Sequence, residues 1–221
     1  SAMVGILDCV DDYEAQLNDV IAKGYQCVKL KADPLSLDMI VDVLNHFLPK
    51  FYQMSIDLNG SLSPNMLNLL QQVPDQVIIE QPMSVQNDAY LSDCVAQLPH
   101  SIVLDESVRT MADLDRIAGL GVGVMLKPVC CGGPTPFINM VNRCVQLDID
   151  CGISGYLESG VGRRFQWLLA QVSGLTLSPD FVWSNYYFLN DVVSVLPESN
   201  FINDGVNLDA CDVIETIQFD G

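Results

Sequence analysis

The fold is decided by five short apolar runs that each end in charged residues: Val28-Lys29-Leu30-Lys31, Ser55-Ile56-Asp57-Leu58-Asn59, Ile78-Ile79-Glu80-Gln81-Pro82, Val103-Leu104-Asp105-Glu106-Ser107 and Met125-Leu126-Lys127-Pro128. Nearly continuous apolar runs of this length are typical of strands that are covered on both faces, as in a parallel sheet. The charged ends recur at intervals between 22 residues (Asp105 to Lys127) and 26 residues (Lys31 to Asp57). This interval is the length of one strand-loop-helix-loop unit.

The same alternation of strands and helices extends along most of the chain. We predict strands at residues 5–9, 25–31, 53–58, 76–80, 101–105, 122–127, 150–154 and, less clearly, 175–178. Amphipathic stretches between them predict helices at residues 13–23, 37–48, 64–73, 89–98, 111–120, 136–147 and 163–172. Alternating units imply a parallel sheet, and eight of them in roughly 200 residues favour a closed (β/α)8-type barrel over the alternative, a doubly wound open sheet. We assign residues 1–190 to the barrel and residues 191–221 to a C-terminal tail.

The composition excludes several classes of partner. The chain has 221 residues, with 10 Lys and Arg against 28 Asp and Glu, and a formal net charge of -18. Such an acidic surface disfavours nucleic acid and anionic membranes, and no apolar run approaches the roughly 20 residues of a membrane-spanning helix. None of the eight cysteines forms a C-x-x-C pair, which favours reduced core thiols in a cytosol-like compartment. We therefore expect a cytoplasmic protein, or one of the plastid stroma if the source is a plant or alga.

Three acids close three successive predicted strands: Asp57, Glu80 and Asp105. The carboxyl ends of barrel strands meet at one mouth, where three bare carboxylates would repel one another unless a cation lay between them. Oxygen ligands with positions left open for water and substrate favour Mg²⁺, with Mn²⁺ as a possible substitute. The alternative is that these acids are helix N-caps or surface residues.

Three lysines lie within the same apolar segments. Lys29 and Lys31 are two residues apart on one strand, so their side chains point to the same face. Because buried neighbouring cations lower each other's pKa, one of the two can act as a base near neutral pH, and we favour Lys31, which is nearer the mouth. Lys127 faces the mouth from the opposite side. We interpret His46 and His100 as surface residues, which disfavours a histidine base.

Together, these groups predict one kind of chemistry. A metal and ammonium groups can stabilise an anion that develops on an oxygen, while a lysine removes a proton from the adjacent carbon. The combination suits abstraction of a proton alpha to a carboxylate through a metal-bound enediolate. The lysines and the metal form a cationic pocket that favours a small dianionic carboxylate substrate.

Six motifs follow one another along the chain: Lys29-Leu-Lys31, Ile56-Asp57-Leu-Asn59, Glu80-Gln-Pro82, Leu104-Asp105-Glu-Ser107, Leu126-Lys127-Pro128 and Glu158-Ser-Gly-Val-Gly-Arg163. Their order and spacing resemble the enolase superfamily and its muconate-lactonizing-enzyme subgroup, from about residue 4 to residue 191. Within the subgroup, the chain most resembles o-succinylbenzoate synthases and the related N-succinylamino acid racemases. The resemblance implies a (β/α)7β barrel.

The resemblance also implies a role for each site residue. Asp57, Glu80 and Asp105 would be the Mg²⁺ ligands. Lys31 would be the base on one face of the substrate, with Lys29 tuning it, and Lys127 would be a stabilising cation or second acid/base on the other face. Further residues would support the metal ligands (Asn59 and Glu106) or line the pocket near the second carboxylate of the substrate (Gly155, Tyr156, Glu158 and Ser159).

Two departures from the family concern the ends of the barrel. Family members carry an N-terminal α+β capping domain of roughly a hundred residues that closes the mouth. This chain begins at the first barrel strand, so we expect that domain in a longer form of the protein or from another source. Dipeptide epimerases of the subgroup carry paired acids at the eighth strand, whereas Ser178-Pro179-Asp180-Phe181 offers one.

Three functions therefore remain open. The first is a lyase like o-succinylbenzoate synthase, which performs a Mg²⁺-dependent syn-dehydration in menaquinone or phylloquinone biosynthesis. The second is an N-succinylamino acid racemase that uses Lys31 and Lys127 as a two-base pair. The third, of another class, is a catalytically silent barrel without a lid, into which water would enter.

Overall fold

The fold is a curled parallel sheet whose strands follow their order in the sequence. We analysed a computed structural model, which describes residues 4–7, 13–172 and 174–180. Seven strands pair in the order β1 to β7, and every pair is parallel. They are β1 (Val4–Leu7), β2 (Cys27–Lys31), β3 (Gln53–Asp57), β4 (Ile78–Glu80), β5 (Ile102–Leu104), β6 (Gly123–Leu126) and β7 (Cys151–Ile153). A doubly wound sheet reverses its strand order, so this topology confirms the α/β barrel type and excludes the alternative.

Helices connect successive strands wherever the chain is described between them. They are α1 (Tyr13–Ala22), α2 (Leu37–Phe47), α3 (Leu91–Gln97), α4 (Met111–Ile117), α5 (Pro134–Leu147) and α6 (Gly160–Leu169). Three 3₁₀ helices add to them: Leu48–Lys50, Pro64–Gln72 and Val85–Tyr90. The α-helix predicted at residues 64–73 is therefore wrong in type. Asn65 and Asn68 lie inside it, and asparagine side chains compete with helical backbone hydrogen bonds.

The segment that follows α6 occupies the place of the eighth strand without forming one. The backbone N–H groups of Thr176 and Leu177 both donate to the carbonyl of Cys151, at 2.8 and 3.0 Å, which interrupts a regular ladder. Farther along, Asp180 forms a single parallel bridge with Ser154. The strand predicted at residues 175–178 is therefore wrong as a strand, although the segment lies beside β7 as a barrel requires.

Polar and apolar side chains both line the interior of the curled sheet. Side chains from five strands, β2 to β6, and from the segment after α6 line a small interior cavity of about 20 Å³, among them Lys29, Ser55, Glu80, Met125 and Asp180. Outside the sheet, the helices bury an apolar layer that includes Leu44 and Phe137. This arrangement places the polar ends of the strands around a common mouth.

The two histidines differ in environment. His46 is exposed, as predicted, and its Nε2 lies 3.1 Å from Lys50 Nζ. His100 is buried, with its Nε2 3.1 Å from the carbonyl of Val73, so its prediction as a surface residue is wrong. His100 lies just before β5, at the end of the sheet opposite to the mouth.

Two further observations concern the rest of the chain. In the described part, no helix combines the length and apolarity needed to cross a membrane. The tail predicted at residues 191–221 lies outside the described residues, as do residues 8–12, which include the end of the first predicted strand.

Candidate active site

The predicted acids and lysines come together at the carboxyl ends of β2 to β6. In the strand register, Lys31 pairs with Asp57, and Asp57 pairs with Glu80. Paired residues of neighbouring parallel strands share a face, so these three side chains point the same way. Asp57, Glu80 and Asp105 are 0%, 4% and 5% exposed. The sequence therefore predicted correctly that buried carboxylates line one mouth.

Lys29 lies at the centre of a buried ionic cluster. Its Nζ is 3.0 Å from Glu80 Oε1 and 3.4 Å from Asp57 Oδ2, and it also contacts Asp180 Oδ2. Asp180 is 3% exposed and comes from the segment in the eighth-strand position. Sequence reasoning did not assign Asp180 to the site, although the single acid of Ser178-Pro179-Asp180-Phe181 was a visible signal.

These contacts correct one sequence-based expectation. Burial alone lowers the pKa of the Lys29 ammonium, but Asp180, Glu80 and Asp57 outweigh it and hold the pKa well above its usual value. The expectation that neighbouring lysines would lower the pKa of Lys29 is therefore wrong. It counts the neighbouring cation and leaves out the carboxylates that contact Lys29.

Lys31 has the accessible position that a base requires. Its Nζ donates to Asp57 Oδ2 at 2.6 Å and to Asn59 Oδ1 at 3.0 Å, and its side chain is 30% exposed. Asn59 also donates from its side chain to Glu106 Oε1 at 3.1 Å, and its backbone N–H donates to Asp57 Oδ1 at 3.0 Å. Asn59 and Glu106 thus lie beside the acids and lysines, where a supporting role would place them.

Lys127 forms the opposite side of the mouth. It follows β6, four strands after Lys31, and its ammonium contacts both oxygens of Asp105. Burial lowers the pKa of Lys127, but the Asp105 carboxylate outweighs it and raises that pKa above its usual value. The two lysines that sequence analysis placed on opposite faces therefore each bind a different carboxylate.

The Glu80 carboxyl group is the most strongly perturbed acid of the mouth. Burial raises its pKa; Lys29 opposes this, whereas Asp180, Asp57 and Asp105 add to it, and the resulting pKa is about 8. Asp57 behaves in the opposite way, because Lys29 and Lys31 outweigh its burial and lower its pKa. The nearby lysines alone therefore do not keep all the acids ionised at neutral pH.

The chemistry of this donor set fits a hard divalent cation. Its members are buried carboxylates at the ends of three adjacent strands, and burial raises the pKa of one of them, Glu80, to about 8, so that added positive charge would favour its ionised form. Across residues 13–172 and 174–180, no three acidic, cysteine or histidine side chains converge on one point as they stand, because lysine ammonium groups bind the carboxylates. A cation would have to displace these ammonium groups.

Gln81 belongs to the motif Glu80-Gln-Pro82, which by itself predicts no role for this glutamine. Its side chain is 1% exposed, and its Oε1 accepts from the backbone N–H groups of Asp105, at 2.8 Å, and Ser107, at 3.2 Å. Its Nε2 donates to the carbonyl of Met83 and the hydroxyl of Ser107, both at 2.7 Å. One amide thus ties the end of β4 to the end of β5 and fixes the backbone of Asp105.

The predicted substrate loop, residues 155–159, lies at the end of β7. The carbonyl of Asp180 accepts from Gly155 N–H at 2.8 Å, and the Tyr156 side chain is exposed. The Glu158 carboxylate accepts from Tyr156 N–H in its own loop at 2.8 Å, and from α6 it accepts from Gln166 Nε2 at 2.6 Å and pairs with Arg163 Nη2 at 3.2 Å. Ser159 is the N-cap residue of α6. Glu158 therefore connects the loop to α6.

Comparison with known proteins agrees with this geometry. The sequence model of a family described as enolase C-terminal domain-like matches residues 12–206. An o-succinylbenzoate synthase from Listeria innocua is 27% identical over 201 residues, which are 89% of this chain and 54% of that protein. An N-succinylamino acid racemase from Thermus thermophilus is 25% identical, over 86% of this chain and 52% of that protein.

Solved structures show the same relationship. An enolase-superfamily member from Listeria innocua superposes with a TM-score of 0.76 at 26% identity, and one from Enterococcus faecalis with a TM-score of 0.77 at 26% identity. Each match covers 89% of this chain and 56% of the other. The chain thus spans about half the length of the curated relatives and solved structures that it matches.

Proposed function

Because the chain belongs to the enolase C-terminal domain-like family, we propose that it forms the barrel of a Mg²⁺-dependent lyase like o-succinylbenzoate synthase. Relatives in this family are enzymes named as synthases and racemases. The single observation that carries the proposal is the mouth itself, where three buried carboxylates are flanked by Lys31 on one side and Lys127 on the other.

In this proposal, Asp57, Glu80 and Asp105 would hold the Mg²⁺ ion. Bound Mg²⁺ would supply positive charge that stabilises negative charge developing on the substrate carboxylate. The same ligands are the present partners of the lysines. Once these carboxylates turn to the cation, the lysine ammonium groups lose these contacts.

Lys31 would move the proton. As the neutral amine, its Nζ takes the proton from the carbon next to the substrate carboxylate, and the electron pair of the broken C–H bond moves onto that carboxylate group. The electron pair then returns to form a carbon–carbon double bond as the C–O bond to the neighbouring hydroxyl breaks, and the Lys31 ammonium gives its proton to that hydroxyl, which leaves as water from the same face. Asn59 Oδ1 accepts a hydrogen bond from Lys31 Nζ and orients it, and the Lys127 ammonium stabilises the anion from the other face.

The proposal is tested by product formation. The protein is incubated with the hydrated precursor of o-succinylbenzoate, with Mg²⁺ and separately after chelation, and the aromatic product is quantified by chromatography. We expect product only with Mg²⁺. No product in either condition, or an equal amount after chelation, would contradict the lyase proposal.

One observation favours a second candidate, the N-succinylamino acid racemase. Lys31 and Lys127 lie at opposite sides of the mouth, as a two-base racemase requires, and relatives with this name are among the matches. If this activity is present, succinylated amino acids incubated in deuterated water gain deuterium at the alpha carbon from both enantiomers. Succinylated amino acids that remain free of deuterium would exclude this candidate.

A further inference from the structure

Asp180 is an acid of the barrel interior with a rigidly held backbone. Its N–H donates to the carbonyl of Ile153 at 2.9 Å, and its carbonyl accepts from Gly155 N–H at 2.8 Å. Both bonds are made to the end of β7 and the start of its loop. The Asp180 carboxylate therefore projects from a fixed point into the cavity that Lys29 and Glu80 also line.

The Asp180 carboxylate contacts the Lys29 ammonium. Its Oδ2 contacts Lys29 Nζ, whereas its Oδ1 is buried and has no hydrogen-bond partner among the described residues. A carboxylate can accept several hydrogen bonds, and a purely structural one at a loop usually binds backbone N–H groups. Within residues 13–172 and 174–180, the Asp180 side chain accepts no hydrogen bond from a backbone N–H group. Its contact with Lys29 therefore needs an explanation other than support of the loop.

Lys29 and Mg²⁺ compete for the same carboxylates, and Asp180 can reduce this competition. The Lys29 ammonium contacts Asp57 and Glu80, which are two of the three proposed Mg²⁺ ligands. A tethered ammonium and a divalent cation attract the same oxygens, so Lys29 competes with Mg²⁺. Among the described residues, Asp180 is the one acid in contact with Lys29 that is absent from the proposed ligand set, and it comes from the segment after α6.

We propose that Asp180 is a positioning residue that anchors the Lys29 ammonium and thereby leaves Asp57 and Glu80 available to Mg²⁺. The inference rests on the metal site of the proposed function and deepens it, because it identifies what sets the affinity of that site for its cation. Without the Asp180 charge, the Lys29 ammonium binds Glu80 and Asp57 more tightly and Mg²⁺ binds more weakly.

The test is a calorimetric titration of the protein with Mg²⁺ alone at about pH 9, where Glu80 is ionised and competition for its carboxylate is not mixed with release of its proton. Asp180→Asn preserves the size of the side chain and removes its charge, and we expect its Mg²⁺ dissociation constant to rise at least tenfold. Lys29→Met removes the competitor, so we expect tighter binding than in the wild type. In the Lys29→Met background, Asp180→Asn should change the dissociation constant by less than twofold. Asp150→Asn, an exposed acid before β7, controls for net charge and should leave it unchanged.

Each outcome decides the matter. Wild-type Mg²⁺ affinity in Asp180→Asn, or an equal loss with and without Lys29, overturns the anchoring role while leaving the proposed function intact. If Asp180→Asn does not fold, Lys29→Met still decides, because weaker Mg²⁺ binding in that variant contradicts competition. A wild-type protein that binds no Mg²⁺ overturns this inference together with the metal-dependent part of the proposed function, and that result is visible before any variant is measured.

Discussion

At the scale of single residues, the mouth is a set of charges whose protonation depends on one another. Burial raises the pKa of the Glu80 carboxyl group to about 8, with other carboxylates adding to the effect and Lys29 opposing it. Glu80 therefore binds a proton more readily near neutral pH than Asp57, whose pKa Lys29 and Lys31 lower. A metal ligand must be deprotonated, so cation binding and proton release are linked at this residue.

We expect Mg²⁺ binding to release close to one proton per site at about pH 7 and almost none at about pH 9, because Glu80 is then already ionised. The affinity should rise by up to about tenfold per pH unit below the pKa of Glu80 and level off above it. Calorimetry in two buffers of different ionisation enthalpy measures the released protons. A dissociation constant that does not vary with pH would contradict a raised Glu80 pKa.

The sequence predicts which residues form the mouth better than it predicts how they interact. Asp57, Glu80 and Asp105 follow recognisable apolar runs, so their convergence could be predicted from strand alternation. The pairing of Lys29 with Asp180 joins residues 151 positions apart, and no local pattern encodes it. The direction of the Lys29 pKa shift depends on that pairing, which explains why the sequence-based expectation for that residue failed.

At the scale of elements, the loops after β3, β4 and β5 hold one another in place. The N–H of Gly60 donates to the Gln81 carbonyl at 2.7 Å, and that of Leu62 donates to the Pro82 carbonyl at 3.0 Å. Gly60 has a φ of +72°, and a Cβ there would lie 2.9 Å from the Ser84 Cα, so only glycine fits. The Gln81 side chain then extends this connection to the end of β5.

Replacement of Gln81 tests this connection. Gln81→Leu leaves the buried N–H groups of Asp105 and Ser107 and the carbonyl of Met83 without their side-chain partner. We expect the free energy of unfolding to fall by about 3 kcal/mol or more, since three buried groups lose their partner and each costs about 1–3 kcal/mol. Urea unfolding measures it, and Gln97→Leu on the exposed end of α3 is the matched control. Equal stability of the two variants would show that the amide does not tie the loops.

At the scale of the whole molecule, the chain is an acidic barrel with most of its lysines in the interior and mouth. Three of its five lysines lie in the cluster of carboxylates, in a chain of net charge -18. The order of the strands could be predicted from the regular alternation of elements. The irregular eighth segment could not, because its form depends on two N–H groups that share the Cys151 carbonyl, a tertiary contact.

We expect Mg²⁺ to stabilise the whole fold, because the cation binds the folded arrangement of acids and not the unfolded chain. At a hundredfold excess over its dissociation constant, the free energy of unfolding should rise by about 2.7 kcal/mol. Thermal unfolding with Mg²⁺ and after chelation measures the change, and Asp57→Asn should abolish it. A melting temperature that Mg²⁺ leaves unchanged at saturating concentration would contradict a metal site at this mouth.

The central claim is that Lys31 removes a proton alpha to a carboxylate. The most direct test compares the rate of o-succinylbenzoate formation in the wild type, in Lys31→Ala and in Lys50→Ala, where Lys50 is an exposed lysine away from the mouth. Loss of a positioned base typically costs about 10²–10⁴-fold in rate. We predict a loss of that size in Lys31→Ala and a wild-type rate in Lys50→Ala. A wild-type rate in Lys31→Ala would contradict the account.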